Sequence, residues 1–245
     1  MYTKLPAKWS LPQELRQRFG SKGAGKQRAM FKDGHLLIIL HKAPFADEAK
    51  RHAIIFWRDP KKTWQNSESN RGFNYLTQHI EEYSQREMKL SKLYDKSSSP
   101  EDYFEILEEL SPFVRAADNL AKAMQQAREL AHDDFTLIGL RDHAQEIARE
   151  TEILYTDSRH GLDYQIAKRA EEQAKYSQEN IKSTDRLNTL VAIFLPITAF
   201  SGIFGMNLNM GLQNSSPIWF PVVMIASIVL GFAVKSWITP KLDEE

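Results

Sequence analysis

The sequence predicts a mostly helical protein with a small α+β domain, a long stalk helix and two C-terminal transmembrane helices. Three observations support this class. Residues 187–206 and 218–238 are apolar runs, and the first of them carries no charged side chain. Residues 140–186 contain no proline and a single glycine, as expected of one long helix. Residues 36–41 and 53–57 are short apolar runs between turn-forming residues, as expected of strands.

The two C-terminal runs have the length and composition of membrane spans. A helix of about 20 apolar residues crosses the ~30 Å hydrocarbon core of a bilayer. In the second run Lys235 is the only charge, and it lies near the far end, where a long side chain reaches the headgroups. Trp219 and Trp237 stand near the two edges, as interfacial aromatic residues do. We therefore expect spans over 187–206 and 218–238, with a pair of buried soluble helices as the alternative.

The charges around these runs predict their orientation. The loop over residues 207–217 has no Lys or Arg, whereas basic residues precede the first run and Lys235 and Lys241 close the second. The positive-inside rule then places both termini, including the tail 239–245, in the cytoplasm. Because the N-terminal residues do not resemble a secretory signal, we expect a multi-pass protein of the inner (plasma) membrane.

Composition excludes several functions. The formal net charge is zero, which gives no support for a nucleic-acid partner. Cysteine is absent, so disulfides and thiolate metal sites are excluded. Residues 20–27 match most of a phosphate-binding loop, but Gln27 replaces the hydroxyl residue that would hold Mg²⁺, so we interpret the stretch as a basic surface loop. No nucleophile, base and orienting group can be assembled, so we expect neither an enzyme nor a cofactor.

The part before the stalk divides into a small α/β region over 1–68 and helices over 69–139. We expect a brief helix over 11–19, the two strands named above, and a helical period from residue 70 to a turn at 97–100. A second helix follows, and Pro112 predicts a kink or a restart within it.

Several potential metal ligands in this part have simpler interpretations. The histidines around the strands have no metal-ligand spacing and are interpreted as strand-edge residues. An acidic cluster at the start of the second helix is interpreted as a solvated face, with divalent-cation sensing as the alternative. The stretch 132–134 is interpreted as a polar turn. These residues are, in order, His35, His41, His52, Glu101, Asp102, Glu105, Glu108, Glu109, His132, Asp133 and Asp134.

One face of the stalk helix continues into the first apolar run. We call it the uncharged stripe, because its residues recur at steps of three and four while most charges between 168 and 186 lie elsewhere. Such a face entering a bilayer fits a water-filled lumen, with ordinary helix packing as the alternative. Two helices cannot enclose a lumen, so several copies would surround an axis, with the second spans facing lipid. The stripe consists of Ala170, Gln173, Ser177, Asn180, Thr184, Asn188, Val191, Leu195, Thr198 and Gly202.

Two motifs in the first run carry a family resemblance. Residues 195–198 read Leu-Pro-Ile-Thr, and residues 201–207 read Ser-Gly-Ile-Phe-Gly-Met-Asn, just before a short loop and a second span. This arrangement resembles the CorA-type magnesium channel superfamily, which includes the ZntB zinc transporters. The resemblance is best over 137–238. It implies a homopentamer in the membrane lipid, with a cytoplasmic α+β domain and a ring of asparagines at the outer mouth of the pore.

The resemblance also implies roles for individual residues. Gly205, Met206 and Asn207 would form the selectivity filter, with Asn207 holding the hydrated ion through its waters, since Mg²⁺ sheds water reluctantly. Thr198 matches a pore threonine, and Leu187 and Leu195 match apolar gate positions. The pore-lining residues would be Thr184, Leu187, Asn188, Val191, Leu195, Thr198 and Gly202.

The implied function is Mg²⁺ import driven by the membrane potential, without a cofactor. A Zn²⁺ transporter coupled to protons is the alternative within the family, and a non-conducting tail-anchored scaffold is the alternative outside it. Two departures bear on selectivity and regulation. Residues 208–214 lack the acidic residue that many members have after the motif, and Ala170 stands in a region of the stalk where an acidic residue would be expected.

Overall fold

The structure is a computed structural model that describes residues 5–19, 25–47, 51–69, 72–205 and 218–238. It is mostly helical with one small sheet and one long helix, which confirms that part of the predicted class. Among the described residues, no helix has both the length and the apolar content that crossing a bilayer requires. The elements are α1 (Gln13–Phe19), β1 (Arg28–Lys32), β2 (His35–His41), β3 (Ala53–Arg58), β4 (Trp64–Asn66), α2 (Gly72–Tyr94), α3 (Pro100–Leu130), α4 (Thr136–Gly205) and α5 (Trp219–Ile238).

The chain divides into two compact units, Met1–Ala167 and Lys168–Glu245. The first unit is built on the sheet, whose four strands are antiparallel and lie in chain order. Alternate side chains of β2 enter two cores, one shared with α1 and the other with α2, α3 and the first part of α4. Because both faces of the sheet are covered, β2 is a continuous apolar run rather than an alternating one.

The two predicted strands and the brief N-terminal helix are confirmed by β2, β3 and α1. The strands β1 and β4 were not predicted. Asp33 and Gly34 join β1 to β2, with positive φ angles of 49° and 79°. Two residues with positive φ form the tight turn that matches the twist of a hairpin, and Asp-Gly is a preferred sequence for it.

The turn at 97–100 is confirmed, and it starts α3 with reciprocal capping. The Ser99 side chain accepts a hydrogen bond from the Asp102 backbone N–H, and the Asp102 carboxylate accepts one from the Ser99 backbone N–H. Of the two outcomes predicted at Pro112, a kink or a restart, the restart is wrong, because α3 continues from Pro100 to Leu130, and the kink stays a prediction. Proline removes only one helical hydrogen bond, and Leu110 and Phe113 on either side of it are fully buried in the core.

The long helix begins earlier than predicted, at Thr136 rather than residue 140. An Asp134 carboxylate oxygen accepts hydrogen bonds from the Thr136 backbone N–H at 3.2 Å and the Thr136 hydroxyl at 2.5 Å. These bonds satisfy an otherwise unpaired donor at the start of the helix. The first part of this helix packs on the core, since Ala144, Ile147 and Leu154 are buried.

A buried polar cluster joins β2 to α2. The Nε2 of His79 and the hydroxyl of Tyr83 both lie within hydrogen-bond distance of the His41 carbonyl oxygen, at 3.0 Å and 2.8 Å. His79 must therefore carry its proton on Nε2, and its buried Nδ1 has no partner among the described residues. Burial lowers the pKa of His79 to about 4 and raises the pKa of Tyr83.

This cluster predicts acid sensitivity of the fold. Since the pKa of His79 is about 4 in the folded chain and about 6.5 for an ordinary histidine, protons bind the unfolded chain more tightly. The stabilising effect of neutral His79 is complete above pH 6.5 and is lost as the pH falls to about 4. We expect a loss of about 3 kcal/mol in the free energy of unfolding over that window.

The measurement is urea unfolding of the full chain in detergent, followed by tryptophan fluorescence between pH 7 and 4. His79→Gln is the matched variant, because a glutamine amide can donate to the same carbonyl and does not titrate. The variant should show a clearly shallower decline than the natural chain. Identical declines in both proteins would show that other groups cause the acid sensitivity.

Candidate functional site

The candidate site is the uncharged stripe on the part of α4 that belongs to the second unit. From residue 167 to residue 188 every residue of the helix is exposed within the single chain. Five polar residues of the stripe lie along one shallow concave strip of the helix surface, together with three flanking side chains. The residues of this strip are Gln173, Tyr176, Ser177, Asn180, Ile181, Thr184, Asp185 and Asn188.

The next part of α4 packs against α5 through a close helix contact at Gly231. A Cβ atom added at Gly231 would lie 2.7 Å from the Ala192 carbonyl oxygen and 3.1 Å from the Ile193 Cα. Only glycine allows the two backbones to approach this closely. Ser227, one helical turn before Gly231, is buried, and its hydroxyl donates to the Val223 carbonyl at 2.8 Å. The two helices therefore form a tight pair with small residues at the contact.

The stripe lies on the side of α4 that faces away from α5. The α4 residues that become half-buried in this region are Thr189, Ala192, Ile193, Pro196 and Ile197. At 3.6 residues per turn, the centre of that face and the centre of the stripe are about 150° apart around the helix. Leu187 and Leu195, the predicted gate residues, are 60% and 67% exposed. In this region α4 therefore has one face that packs on α5 and an opposite face that is exposed in the single chain.

The polar side chains on the open face of α4 are uncharged hydroxyl and amide groups. The Thr198 hydroxyl donates to the Phe194 carbonyl one turn earlier, at 2.8 Å, which leaves its oxygen lone pairs directed outward. Thr184, Asn188 and Thr198 offer neutral oxygens, and Val191 and Gly202 on the same face are also exposed. A neutral oxygen surface can bind waters of a hydrated cation without the strong attraction of a carboxylate.

Only the first residue of the predicted filter belongs to the described part of the chain. Gly205 is the last residue of α4. Met206 and Asn207 lie outside the described residues, as does the loop to residue 217, so their roles stay predictions.

The surface of α5 that faces away from α4 is apolar and exposed. Contiguous apolar surface of this kind marks a site of contact with lipid or with other proteins. The exposed large side chains of this helix are Val222, Met224, Ile225, Val229, Leu230 and Phe232.

Other potential ligands are engaged in structural bonds. Asp134 pairs with buried Arg58 at 2.8 Å, and the pair between His52 and Glu68 joins their side chains at 2.5 Å. His41 Nε2 lies 2.9 Å from the Gly25 carbonyl, and burial is the main cause that lowers the pKa of His41. Across the described ranges, no three His, Asp or Glu side chains come together in a group that could hold a metal ion.

Residues 20–27 match most of a phosphate-binding loop and were interpreted as a basic surface loop. Residues 20–24 lie outside the described ranges. Gln27 is buried, and its side chain forms hydrogen bonds within the fold. Its amide donates to the Ala116 carbonyl at 2.9 Å, and its amide oxygen accepts from the His41 backbone N–H at 3.2 Å. This side chain therefore anchors β1 to α3 and β2.

Comparisons with solved structures give distant likenesses, two of which are described here. The CorA magnesium transporter from Methanocaldococcus jannaschii is similar over 93% of this chain and 83% of its own, at 17% identity and a TM-score of 0.35. The full-length CmaX protein is similar over 95% of this chain and 81% of its own, at 12% identity and a TM-score of 0.47. No family model and no curated protein matches the sequence.

Sequence reasoning found the stripe but not the glycine that orients it. Gly231 interrupts an otherwise large apolar run, and a glycine within an apolar helix often marks close helix packing. That signal, together with Ser227 one turn earlier, was sufficient to predict which face of α5 meets α4.

Proposed function

We propose that this chain assembles in a membrane into a channel for divalent cations, with Mg²⁺ as its cargo. The observation that carries the proposal is the exposed, uncharged face of α4 opposite α5, which leads directly to the Gly-Met-Asn motif at 205–207. In a ring of copies these faces would line a hydrated lumen, and the apolar surfaces of α5 would meet lipid.

The driving force for import would be the membrane potential. Moving one elementary charge through 100 mV is worth about 2.3 kcal/mol, so a divalent cation gains about 4.6 kcal/mol on entering a negative interior. Conduction needs a lumen that binds the hydrated ion weakly enough to release it. Neutral hydroxyl and carboxamide oxygens on α4 meet that requirement better than carboxylates would.

The test is ion flux into proteoliposomes that contain the full chain. Mg²⁺ and Zn²⁺ uptake are compared at a fixed potassium diffusion potential, with and without a pH gradient. We expect Mg²⁺ uptake that rises with the inside-negative potential and does not depend on the pH gradient. Zn²⁺ uptake that requires the gradient would show the zinc transporter, and no flux through an intact oligomer would show the scaffold.

A pair of variants tests whether the stripe lines the lumen. Thr184→Lys places a positive charge on the stripe, and Gln178→Lys places the same charge on another exposed side of the same helix. We expect at least a tenfold loss of Mg²⁺ flux in the first variant, about 1.4 kcal/mol in barrier height, because like charges repel the cation. Flux in the second should stay close to that of the natural chain, and equal losses would contradict the lumen-facing assignment.

A further inference from the structure

The charges of the first unit are segregated along the chain. Residues 1–68 contain 14 Lys and Arg and six Asp and Glu, which gives a formal net charge of +8. Residues 69–167 contain 11 Lys and Arg and 19 Asp and Glu, which gives −8. The zero net charge of the whole chain therefore conceals a strongly basic stretch, and a surface of one sign attracts ions of the other.

Several of these basic residues come together at one end of the sheet. β1 begins at Arg28, β2 ends at His41 and β3 begins at Ala53, and the strand pairing brings these three positions to the same end. Neighbouring strands are about 4.8 Å apart, so the three strand ends span roughly 10 Å. We call this region the basic end, and its described residues are Arg18, Lys26, Arg28, His41, Lys42, Arg51 and His52.

Arg28 organises the basic end. Its Nη1 donates to the Lys26 carbonyl at 2.9 Å, and its Nη2 donates to the Arg18 carbonyl at 3.4 Å. The guanidinium also lies against Gly25, since a Cβ atom added there would be 3.0 Å from Nη1. These contacts hold the last turn of α1 and the residues before β1 beside each other. Arg18 and Lys26 therefore bring their own charged side chains to the same place.

The electrostatic potential at the basic end is positive. Burial, followed by the charge of Arg18, lowers the pKa of Arg28. Burial is also the main cause that lowers the pKa of His41, and the charges of Arg51 and Arg28 lower it further. Both groups are thus close enough to other cations to be disfavoured in their charged form.

Three exposed cations of the basic end have no carboxylate partner. Glu68 neutralises two other groups, since it pairs with Lys42 at 3.4 Å and with His52 at 2.5 Å. Within the described ranges, no ion pair forms at the side chains of the three exposed cations, which are Arg18, Lys26 and Arg51. Such side chains form strong charge-assisted hydrogen bonds with phosphate oxygens.

We propose that the basic end binds a compact anion with several phosphate groups, such as a nucleoside triphosphate, in its metal-free form. A bound Mg²⁺ would neutralise part of the charge of the triphosphate and so weaken its attraction to the cations. Sites for the metal-bound form add a hydroxyl or carboxylate for the ion. Gln27 stands at the hydroxyl position, and its amide is already bonded to the Ala116 carbonyl and the His41 backbone N–H. The inference goes beyond ion transport and does not depend on it.

The helices on the sheet favour a compact anion over an extended one. α2 and α3 share a core with the sheet and belong to the acidic stretch 69–167. A nucleic acid or an anionic bilayer that reached beyond the basic end would meet the carboxylates of these helices, and like charges repel. A short chain of phosphates can stay within the three strand ends.

The test is isothermal titration calorimetry of the full chain in an uncharged detergent. The probes are ATP with EDTA, ATP saturated with Mg²⁺, inorganic tripolyphosphate with EDTA, and adenosine. We expect one metal-free ATP per chain, at least tenfold weaker binding of the Mg²⁺ form, and no binding of adenosine. Tripolyphosphate should compete with ATP, because the phosphates rather than the base are recognised.

A pair of double variants tests the position of the site. Lys26→Ala/Arg51→Ala removes two cations of the basic end, and Lys8→Ala/Lys61→Ala removes two exposed cations elsewhere in the basic stretch. Lys61 lies in the turn after β3, at the opposite end of the sheet. All four side chains are exposed, so both variants should fold. ATP should bind at least tenfold more weakly to the first variant, and within a factor of two of the natural chain to the second.

Several results would overturn the proposal. Equal losses in the two variants would show that ATP responds only to the overall charge of the basic stretch. Equal affinity for ATP with and without Mg²⁺ would contradict selection of the metal-free form, and binding of adenosine would mean that the base is recognised instead. A short single-stranded oligonucleotide that binds more tightly than ATP would identify an extended polyanion as the ligand. Absence of ATP binding to the natural chain would remove the site altogether.

Discussion

Replacing Asn207 with alanine should reduce Mg²⁺ flux by at least tenfold, which corresponds to about 1.4 kcal/mol in the barrier for permeation. Gly205 ends α4, and Asn207 follows two residues later, where a ring of copies would place its amides around the axis of the uncharged stripe. Mg²⁺ holds its waters tightly, so selection at this point depends on oxygens that accept hydrogen bonds from those waters. A methyl group cannot accept them. The measurement is the initial rate of Mg²⁺ uptake at a fixed potassium diffusion potential.

Asn209→Ala is the matched control, because it removes the same amide from the same loop two residues further on. Its flux should stay within a factor of about two of the natural chain, a difference of less than about 0.5 kcal/mol. Normal flux in the Asn207 variant would contradict the filter and favour the non-conducting scaffold. Equal losses in both variants would mean that the loop as a whole, rather than one amide, is required.

The fold could be predicted where a sequence pattern was long or had clear boundaries. The stalk helix was visible because nothing interrupts its sequence for more than 40 residues, and β2 because its apolar run is bounded by turn residues. β1 was not predicted, because Arg28–Lys32 mixes charged and apolar side chains without a clear alternation. Which of these side chains are buried depends on the folded core, which the sequence alone does not show. The Asp33-Gly34 pair was the available signal, because this dipeptide is a strong mark of a hairpin.

The restart, one of the two outcomes predicted at Pro112, shows the opposite error, in which a local rule was given too much weight. Proline costs a helix one hydrogen bond and a steric adjustment. In α3 the residues on both sides of Pro112 belong to the core of the first unit, so tertiary packing overrides the local preference.

The candidate site could be placed on one face of α4 from periodicity alone. What periodicity could not provide was the position of α5, because a spacing of three and four residues defines a face without saying which partner it meets. The half-buried residues from Thr189 to Ile197 and the contact at Gly231 supply that information. The proposed ring of copies cannot be derived from the fold of one chain, which shows only that the side chains of this part of α4 are exposed.

Replacing Asp134 with alanine should destabilise the first unit by about 3 kcal/mol, the lower end of the usual cost of breaking a buried ion pair, because Asp133 stays 3.6 Å from Arg58. Asp134 is 7% exposed and Arg58 is 2% exposed, and the Arg58 Nη1 donates to the Asp134 carboxylate at 2.8 Å. The other oxygen of the same carboxylate caps the first turn of α4 through Thr136. The substitution therefore removes a charge partner and a helix cap at once.

Asp133→Ala is the control next to it. Asp133 has a half-exposed side chain that pairs with Lys62 at 3.1 Å and with Arg58 at 3.6 Å. Because solvent screens both contacts, its loss should change the free energy of unfolding less than the loss of Asp134 does. The double variant Arg58→Met/Asp134→Ala should recover part of the stability lost in the single variant, since no unpaired charge stays buried.

Urea unfolding of the full chain in detergent at neutral pH, followed by tryptophan fluorescence, would compare these variants. Trp57 neighbours Arg58 in β3 and is buried, so it reports on the region directly. Similar midpoints for Asp134→Ala and Asp133→Ala would mean that the buried pair contributes no more than the exposed one. A difference of several kcal/mol between the two variants would mean that the Asp134 carboxylate is the main link between the first turn of α4 and the sheet. In the sequence, the same residue is only one of three in a predicted polar turn.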